Sequence, residues 1–242
     1  MKIPFEYCAE EYAAYRPDYP TELYDFLAAH CSLESNSMII DVGAGTGKGS
    51  APLLERGFQV VAFDISEKML DAGRRSGHRD LVCSVAEQIP LGESSADLIL
   101  CAQSFHWFAS TDTLAEFARV IKPTGYLALF WNTRAKEPDH QKEYERLIRK
   151  FNPEHVCGYR DIDWTPVLER DGFFRSVEQE KLKHTDRMTI ESWKGLARST
   201  SYIRCIGEEQ LEQFERELEQ VMKRESAIDI QYLTEVWLAE PV

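Results

Sequence analysis

Residues 39–49 read IIDVGAGTGKG, and this stretch decides the fold class of the chain. An apolar run ends at Asp41, and glycines follow at alternate positions, namely Gly43, Gly45 and Gly47. The pattern predicts a buried parallel strand, a tight glycine turn and the first turn of a helix. Glycine lets the backbone turn sharply and lets a ligand come close, and the amide groups of the turn would face that ligand. The stretch therefore predicts an α/β fold with a ligand-binding loop after a central strand.

Two familiar nucleotide-binding loops do not fit these residues. A P-loop with Gly47 and Lys48 as its glycine-lysine pair requires glycine at position 42 and Ser or Thr at position 49, where the chain has Val42 and Gly49. The dinucleotide fingerprint G-x-G-x-x-G requires a third glycine where the chain has Lys48. Asp41 adds a carboxylate beside the loop. This negative charge would attract a cationic group of a ligand, whereas a site for a pyrophosphate would gain nothing from it.

A second apolar segment, QVVAF at 59–63, ends at Asp64. Asp64 lies about 20 residues beyond the glycine loop, where an acidic side chain can accept hydrogen bonds from both hydroxyls of a ribose. Nicotinamide-dependent enzymes share this feature, so it indicates a ligand with a nucleoside but does not identify the class of enzyme. We expect Asp64→Ala to weaken ligand binding and to leave the stability of the ligand-free protein nearly unchanged.

Strand and helix patterns alternate through residues 36–135, which predicts a doubly wound parallel sheet. The later strands are expected at 59–63, 81–85, 96–102 and 126–131, and helices at 67–75 and 111–121, the first of them capped by Ser66. The segment KPTG at 122–125 predicts a turn with Pro123 at its second position, and this turn tolerates Thr124 if Gly125 takes any positive φ angle. Farther along the chain we expect helices at 137–151, 164–170, 190–198 and 208–224, and strands at 177–184 and 232–238.

Five ordered segments together resemble one family. They are DVGAGTG at 41–47, FDIS at 63–66, AEQIPL at 86–91, QSFHWF at 103–108 and RVIKPTGYLALFWN at 119–132. This set resembles the class I S-adenosylmethionine (SAM) methyltransferases. QSFHWF and the final WN, with YRPDYP at 15–20, are similar to a narrower branch of small-molecule methyltransferases that resemble trans-aconitate methyltransferase. The resemblance covers residues 12–132, and it departs at Thr124, where the family usually has a second glycine.

The resemblance implies a Rossmann-like α/β fold with a helical lid over the carboxyl ends of the strands. Its seven strands would have the order 3-2-1-4-5-7-6, and the last strand would be antiparallel. We expect a single methyltransferase domain over residues 1–242. It would comprise an N-terminal cap at 1–35 with a helix from Thr21, a SAM-binding core at 36–135, and C-terminal strands and lid helices at 136–242.

The resemblance also assigns roles to individual positions. The residues that it places on SAM are Tyr15, Arg16, Asp41, Gly43, Ala44, Gly45, Thr46, Gly47, Asp64, Ile65, Met69, Ala86, Glu87, Gln103 and His106. The residues that it places on the methyl acceptor are Tyr19, Trp107, Trp131, Ser199 and Tyr202.

Several of these side chains have a second interpretation that the sequence leaves open. His106 would act as a general base if its pKa lies near neutrality. Packing or a cofactor contact is the interpretation we favour, because nothing else in QSFHWF supplies a carboxylate to orient the imidazole. Trp107 and Trp131 either pack in the core or line an apolar pocket whose ring faces favour a sulfonium. Arg16 would clamp a carboxylate, or it packs the N-terminal arm.

Composition narrows the cellular setting. The chain has 242 residues, of which 43% are hydrophobic and 29% charged, as is ordinary for a soluble protein with one large α/β core. No apolar stretch is long enough to span a bilayer, and six cysteines without a C-x-x-C pair indicate neither a zinc site nor a disulfide framework. We expect a cytoplasmic monomer or homodimer without a metal ion or a membrane partner.

The net charge of −13 bears on the substrate. Proteins that bind nucleic acids neutralise phosphates with basic residues, so this balance argues against RNA or DNA as a partner. The sequence therefore predicts an enzyme that transfers a methyl group from SAM to a small-molecule acceptor. Two alternatives stay open, a SAM-binding regulator without turnover and a nicotinamide-dependent oxidoreductase. Asp41 and Lys48 argue against the second of these.

Overall fold

The structure is a computed structural model, and it describes residues 9–154, 162–222 and 225–242. Some sequence-based predictions fall outside these described residues. They concern the first eight residues of the predicted cap, two of the six cysteines (Cys8 and Cys157), and positions 223–224 at the end of the helix predicted at 208–224.

Seven strands in the described residues form one mixed sheet with the order β3-β2-β1-β4-β5-β7-β6. Their bounds are β1 Met38–Val42, β2 Gln59–Asp64, β3 Asp80–Cys83, β4 Ala96–Ala102, β5 Ile121–Arg134, β6 Phe174–Thr189 and β7 Ala227–Pro241. The pairs β1–β2, β1–β4, β2–β3 and β4–β5 are parallel, and the last strand is antiparallel. The predicted fold class, strand order and direction of the last strand are confirmed.

The helices that the sequence predicts lie close to their predicted bounds in the described residues. Their bounds are α1 Ala9–Tyr15, α2 Thr21–His30, α3 Ala51–Glu55, α4 Glu67–Arg75, α5 Thr111–Val120, α6 Asp139–Phe151, α7 Thr165–Glu169, α8 Ile190–Arg198, α9 Ser201–Arg204 and α10 Glu208–Val221. A 3-10 turn covers Phe105–Trp107. Ser66 caps α4 as expected, because its hydroxyl accepts a hydrogen bond from Met69 N at 3.4 Å.

The chain divides into two compact units. The sheet unit contains the described residues within 18–132, 161–182 and 234–242, and the helical unit contains those within 1–17, 133–160 and 183–233. The core of the sheet unit includes Leu27, Ile39 and Phe130. The core of the helical unit includes Trp193 and Phe214. Each unit therefore has an apolar core of its own.

The segment KPTG is not the turn that the sequence predicts. Residues 122–125 lie inside β5, and Gly125 is absent from the glycines with positive φ. A Cβ atom on Gly125 would lie 2.9 Å from Asp97 O and 3.0 Å from Ala96 O. Glycine is needed here because the backbones of β4 and β5 approach closely. The register between these strands shifts at this place, which accommodates the extra residues of β5.

None of the described helices is both long and apolar enough to cross a membrane.

Candidate functional site

The glycine loop after β1 has the backbone that its sequence predicts. Gly43, Gly45 and Gly47 have φ angles of +67°, +59° and +74°. A Cβ atom on Gly43 would lie 2.7 Å from Ser104 Cβ, and one on Gly47 would lie 2.3 Å from His78 Cε1. Glycine is therefore required here for two reasons. All three positions have a left-handed backbone, and Gly43 and Gly47 pack too closely against Ser104 and His78 to leave room for a side chain.

The support beneath this loop was not predicted. Ser104 Oγ donates to Val42 O at 2.8 Å, and Tyr24 OH donates to Gly49 O at 3.0 Å. Ser50 Oγ and His78 Nε2 lie 3.1 Å apart and are both buried. Burial lowers the pKa of His78, so its ring is neutral near pH 7. These contacts come from distant parts of the chain, and no local pattern announces them.

Asp41 is fully buried at the carboxyl end of β1. Neither of its carboxylate oxygens has a hydrogen-bond partner among the described residues. Burial raises its pKa to about 7, and the charge of Asp64 acts in the same direction. The Ser50 hydroxyl lies near enough to oppose this shift, although its hydrogen bonds go to Gly47 O and His78. A buried carboxylate of this kind suits a cationic hydrogen-bond donor on a ligand.

Asp64 holds the glycine loop and the end of β2 together. Its Oδ2 atom accepts from Gly45 N at 2.7 Å, and its Oδ1 atom accepts from Ser66 N at 2.8 Å. Burial raises the pKa of Asp64, and these backbone N–H groups oppose the shift. Each oxygen retains the capacity for a second hydrogen bond, so binding to a ribose is compatible with this role.

The remaining loop residues place apolar surface around the same strand ends. Ile65 follows β2 and is 55% exposed, whereas Met69 packs its Cε atom toward Gly45. Ala44 N donates to Phe63 O at 3.0 Å, and Thr46 is buried with an unpartnered hydroxyl among the described residues.

The loop after β3 is fixed by a helix. Ala86 is buried in this loop, and Glu87 beside it is exposed. Farther along, Ile89 N donates to Glu116 Oε1 at 2.6 Å, and Arg119 donates to Leu91 O at 2.9 Å. The α5 side chains therefore set the path of the segment that contains Ala86.

Gln103 follows β4 in an unusual conformation. Its φ angle is +59°, which is uncommon for a residue with a side chain and is frequent at functional sites. Gln103 N donates to Phe130 O at 2.9 Å, and its Nε2 atom donates to Asn132 O at 3.0 Å. The sequence gives no sign of this backbone conformation.

His106 is half-buried in the 3-10 turn. Burial lowers its pKa to about 4, so the imidazole is neutral at physiological pH. Trp131 Nε1 donates to His106 Nδ1 in a long contact of 3.5 Å, and the Trp107 ring lies 4.9 Å from the imidazole. This contact requires the tautomer with the proton on Nε2.

The aromatic residues proposed for the acceptor differ in exposure. Trp107 is 53% exposed, whereas Trp131 is buried in a stack 5.1 Å from Trp164. Tyr19 places its ring edge-on against Phe130 at 4.8 Å. Of these three, Trp107 has the largest exposed surface for a ligand.

Four predicted site residues belong to the helical unit. Arg16 donates through NH2 to Ser199 O at 2.9 Å, and Tyr15 packs against Gly195. Tyr202 accepts a hydrogen bond from Arg134 at 3.2 Å. Arg16 and Ser199 are thus brought together, and the predicted site residues other than these four lie in the sheet unit.

The helical unit also has a groove of about 620 Å³ between α6, α10 and the start of β7. It contains none of the predicted site residues. Two ion pairs line it, Lys150 with Glu217 at 2.6 Å and Arg187 with Asp229 at 3.0 Å. Across the described part of the chain, no group of three or more His, Cys, Asp or Glu residues could hold a metal ion.

Comparisons with known proteins agree with this architecture. The family described as "Methyltransferase domain" matches residues 40–129. An uncharacterized methyltransferase-like protein of Schizosaccharomyces pombe is 30% identical over 215 residues, which cover 88% of this chain and 83% of that protein. An uncharacterized methyltransferase of Mycobacterium tuberculosis is 33% identical over 210 residues, which cover 85% of this chain and 79% of that protein. A proposed type II methyltransferase of Anaeromyxobacter dehalogenans has a similar structure, with a TM-score of 0.71 at 21% identity over 94% of this chain and 98% of that one.

Proposed function

We propose that this chain, which belongs to the class I SAM-dependent methyltransferases, transfers the methyl group to a small-molecule acceptor. The observation that supports a small acceptor is the net charge of −13. A polymer of phosphates would be repelled by this charge, whereas a small molecule needs only the local groups of a pocket.

The buried strand ends fit the chemistry of SAM. Asp41 has a carboxylate without a hydrogen-bond partner among the described residues, and the ammonium of SAM would satisfy it. Asp64 would accept the ribose hydroxyls, and the exposed Ile65 with the buried Ala86 would flank the adenine. Gly43 to Gly47 would let the backbone approach the ligand, and Gln103 and His106 would complete the wall beside it.

SAM supplies an activated methyl group whose transfer to a nucleophile is an in-line displacement. The chain's own residues then have to align the acceptor and exclude water. His106 is a poor general base for this reaction. Its pKa of about 4 leaves little affinity for a proton, and its Nδ1 atom already accepts from Trp131. We assign His106 to packing and cofactor contact.

The acceptor contacts are proposals that rest on the family resemblance. In the sheet unit they are Tyr19, Trp107 and Trp131. The assignment of Ser199 and Tyr202 to the acceptor, and of Tyr15 and Arg16 to SAM, stays a prediction from sequence. The division into cap, core and C-terminal lid is part of the same proposal.

A labelling experiment tests the proposal. The protein is incubated with methyl-labelled SAM and with separate small-metabolite, RNA and protein fractions, beside the Asp64→Ala variant as a control. Label in a small metabolite, reduced in the variant, is the expected result. Label transferred to RNA or protein would overturn the small-molecule assignment. Calorimetric binding of SAM without any transfer would favour the regulatory alternative.

A further inference from the structure

The segment Asp18–Pro20 is fastened to the sheet unit on two sides. Asp18 Oδ1 lies 2.8 Å from Lys48 Nζ, and Lys48 follows Gly47 of the loop. Asn132 Nδ2 donates to Asp18 O at 3.0 Å, and Asn132 lies near the end of β5. Asp18 thus contacts the loop after β1 through its side chain and the end of β5 through its backbone.

The anchor at β5 is itself held in place. Thr234 Oγ1 donates to Asn132 Oδ1 at 2.6 Å, and Gln103 Nε2 donates to Asn132 O at 3.0 Å. Because its amide oxygen and its backbone carbonyl are both engaged, the Nδ2 group of Asn132 has a fixed direction toward Asp18. The Tyr19 ring adds a third contact, edge-on against Phe130 at 4.8 Å.

The strand order shows what this segment crosses. β4 lies between β1 and β5 in the sheet, so a residue that contacts both flanking ends lies over the carboxyl end of β4. The chain order of the strands reverses between β1 and β4. Ligands of doubly wound sheets bind in the crevice at this reversal. Asp18–Pro20 therefore lies across the crevice in which the glycine loop and Gln103 meet.

We propose that Lys48 and Asn132 are positioning residues that hold Asp18–Pro20 as a strap across the cofactor crevice, and that opening of the strap limits cofactor release. The inference rests on the proposed SAM site. The two fastenings differ in kind. The Asp18 side chain is 83% exposed and that of Lys48 is 21% exposed, so salt reaches the ion pair. The hydrogen bond from Asn132 carries no net charge and is insensitive to salt.

The test measures the release rate of S-adenosylhomocysteine by stopped-flow displacement at about 20 mM and about 500 mM salt, across which an exposed ion pair becomes screened. At low salt, Lys48→Met and Asp18→Asn should each release the product about two- to fivefold faster than wild type, as an exposed ion pair allows. The double variant should be no faster than either single one. High salt should speed release from wild type and leave the variants nearly unchanged.

Asp25→Asn is the matched control. Asp25 forms a similarly exposed ion pair with Arg56 at 2.7 Å, between α2 and the residue after α3. Its loss should change neither the release rate nor the salt dependence. Wild-type rates in Lys48→Met and Asp18→Asn, or additive effects in the double variant, would overturn the strap alone. A wild-type protein that does not bind S-adenosylhomocysteine would overturn the proposed SAM site together with the strap.

Discussion

At the scale of the single residue, Asp41 carries a charge that destabilises the ligand-free protein. Its pKa is about 7 in the folded chain, against an ordinary value near 4 in an unfolded one. The folded state therefore binds an extra proton between about pH 4 and pH 7, and stability falls as the pH rises through this window. Above pH 7 the buried carboxylate is charged, and its cost is fully present.

Asp41→Asn should stabilise the ligand-free protein by about 1–3 kcal/mol at pH 8, because a neutral amide replaces a buried charge but still lacks partners. The gain should shrink at pH 5, where the wild-type carboxyl is protonated, and SAM affinity should fall at both pH values. Urea unfolding measures the stability. Asp97→Asn is the control, because Asp97 is paired with Lys122 at 2.8 Å and its variant should lose stability at pH 8. Lower stability of Asp41→Asn at pH 8 would contradict the assignment.

Asp64 shows where a residue-scale expectation from sequence has to change. The sequence places a carboxylate on a ribose, and it cannot show that Gly45 N and Ser66 N already donate to it. We now expect Asp64→Ala to cost about 1–3 kcal/mol of stability in the ligand-free protein, since two N–H groups lose their acceptor. Asp64→Asn should be milder, because one carbonyl oxygen remains. Unchanged melting temperatures for both variants would show that these hydrogen bonds do not stabilise the loop.

At the scale of the element, local signals predicted bounds and non-local pairing did not follow from them. The helix at 67–75 and the strand at 96–102 have the bounds predicted. The cap residue Ser66 marks the start of the helix, and an apolar run marks the strand. The strand predicted at 177–184 extends over Phe174–Thr189, and KPTG lies within β5. Strand length and register depend on the neighbouring strand, which sequence patterns do not contain. The sequence likewise did not predict the contacts of His78 or the backbone of Gln103, because both depend on residues distant in the chain.

Gly125 provides a test at this scale. Gly125→Ala should destabilise the protein by about 1–3 kcal/mol, because the added methyl group would lie about 3 Å from two carbonyl oxygens of β4. Gly92→Ala is the control, since Gly92 has no atom within 4 Å of an added Cβ and no positive φ. Urea unfolding of both variants checks the difference. Equal stability would show that β4 and β5 are not held at this distance.

At the scale of the whole molecule, the strand order came from a family resemblance and not from periodicity. Patterns of apolar residues identify strands, but they do not say which strands are neighbours. The prediction of the order 3-2-1-4-5-7-6 rested on five short segments that resemble one family, and the observed sheet confirms it. Net charge, in contrast, needs no structure, and its consequences extend to ligand association.

The acidic protein should attract SAM more strongly than it attracts S-adenosylhomocysteine. SAM carries one more positive charge, its sulfonium, and it approaches a chain with a net charge of −13 and two carboxylates, Asp41 and Asp64, at the strand ends. Association of a cation with a negative site is fastest at low ionic strength. The ratio of the stopped-flow association rate of SAM to that of S-adenosylhomocysteine should therefore fall several-fold between about 20 mM and about 500 mM salt. The product is the internal control, because it shares every group except the charged sulfonium with its attached methyl. Parallel salt dependences for the two ligands would show that the charge of the whole molecule does not steer SAM to this site.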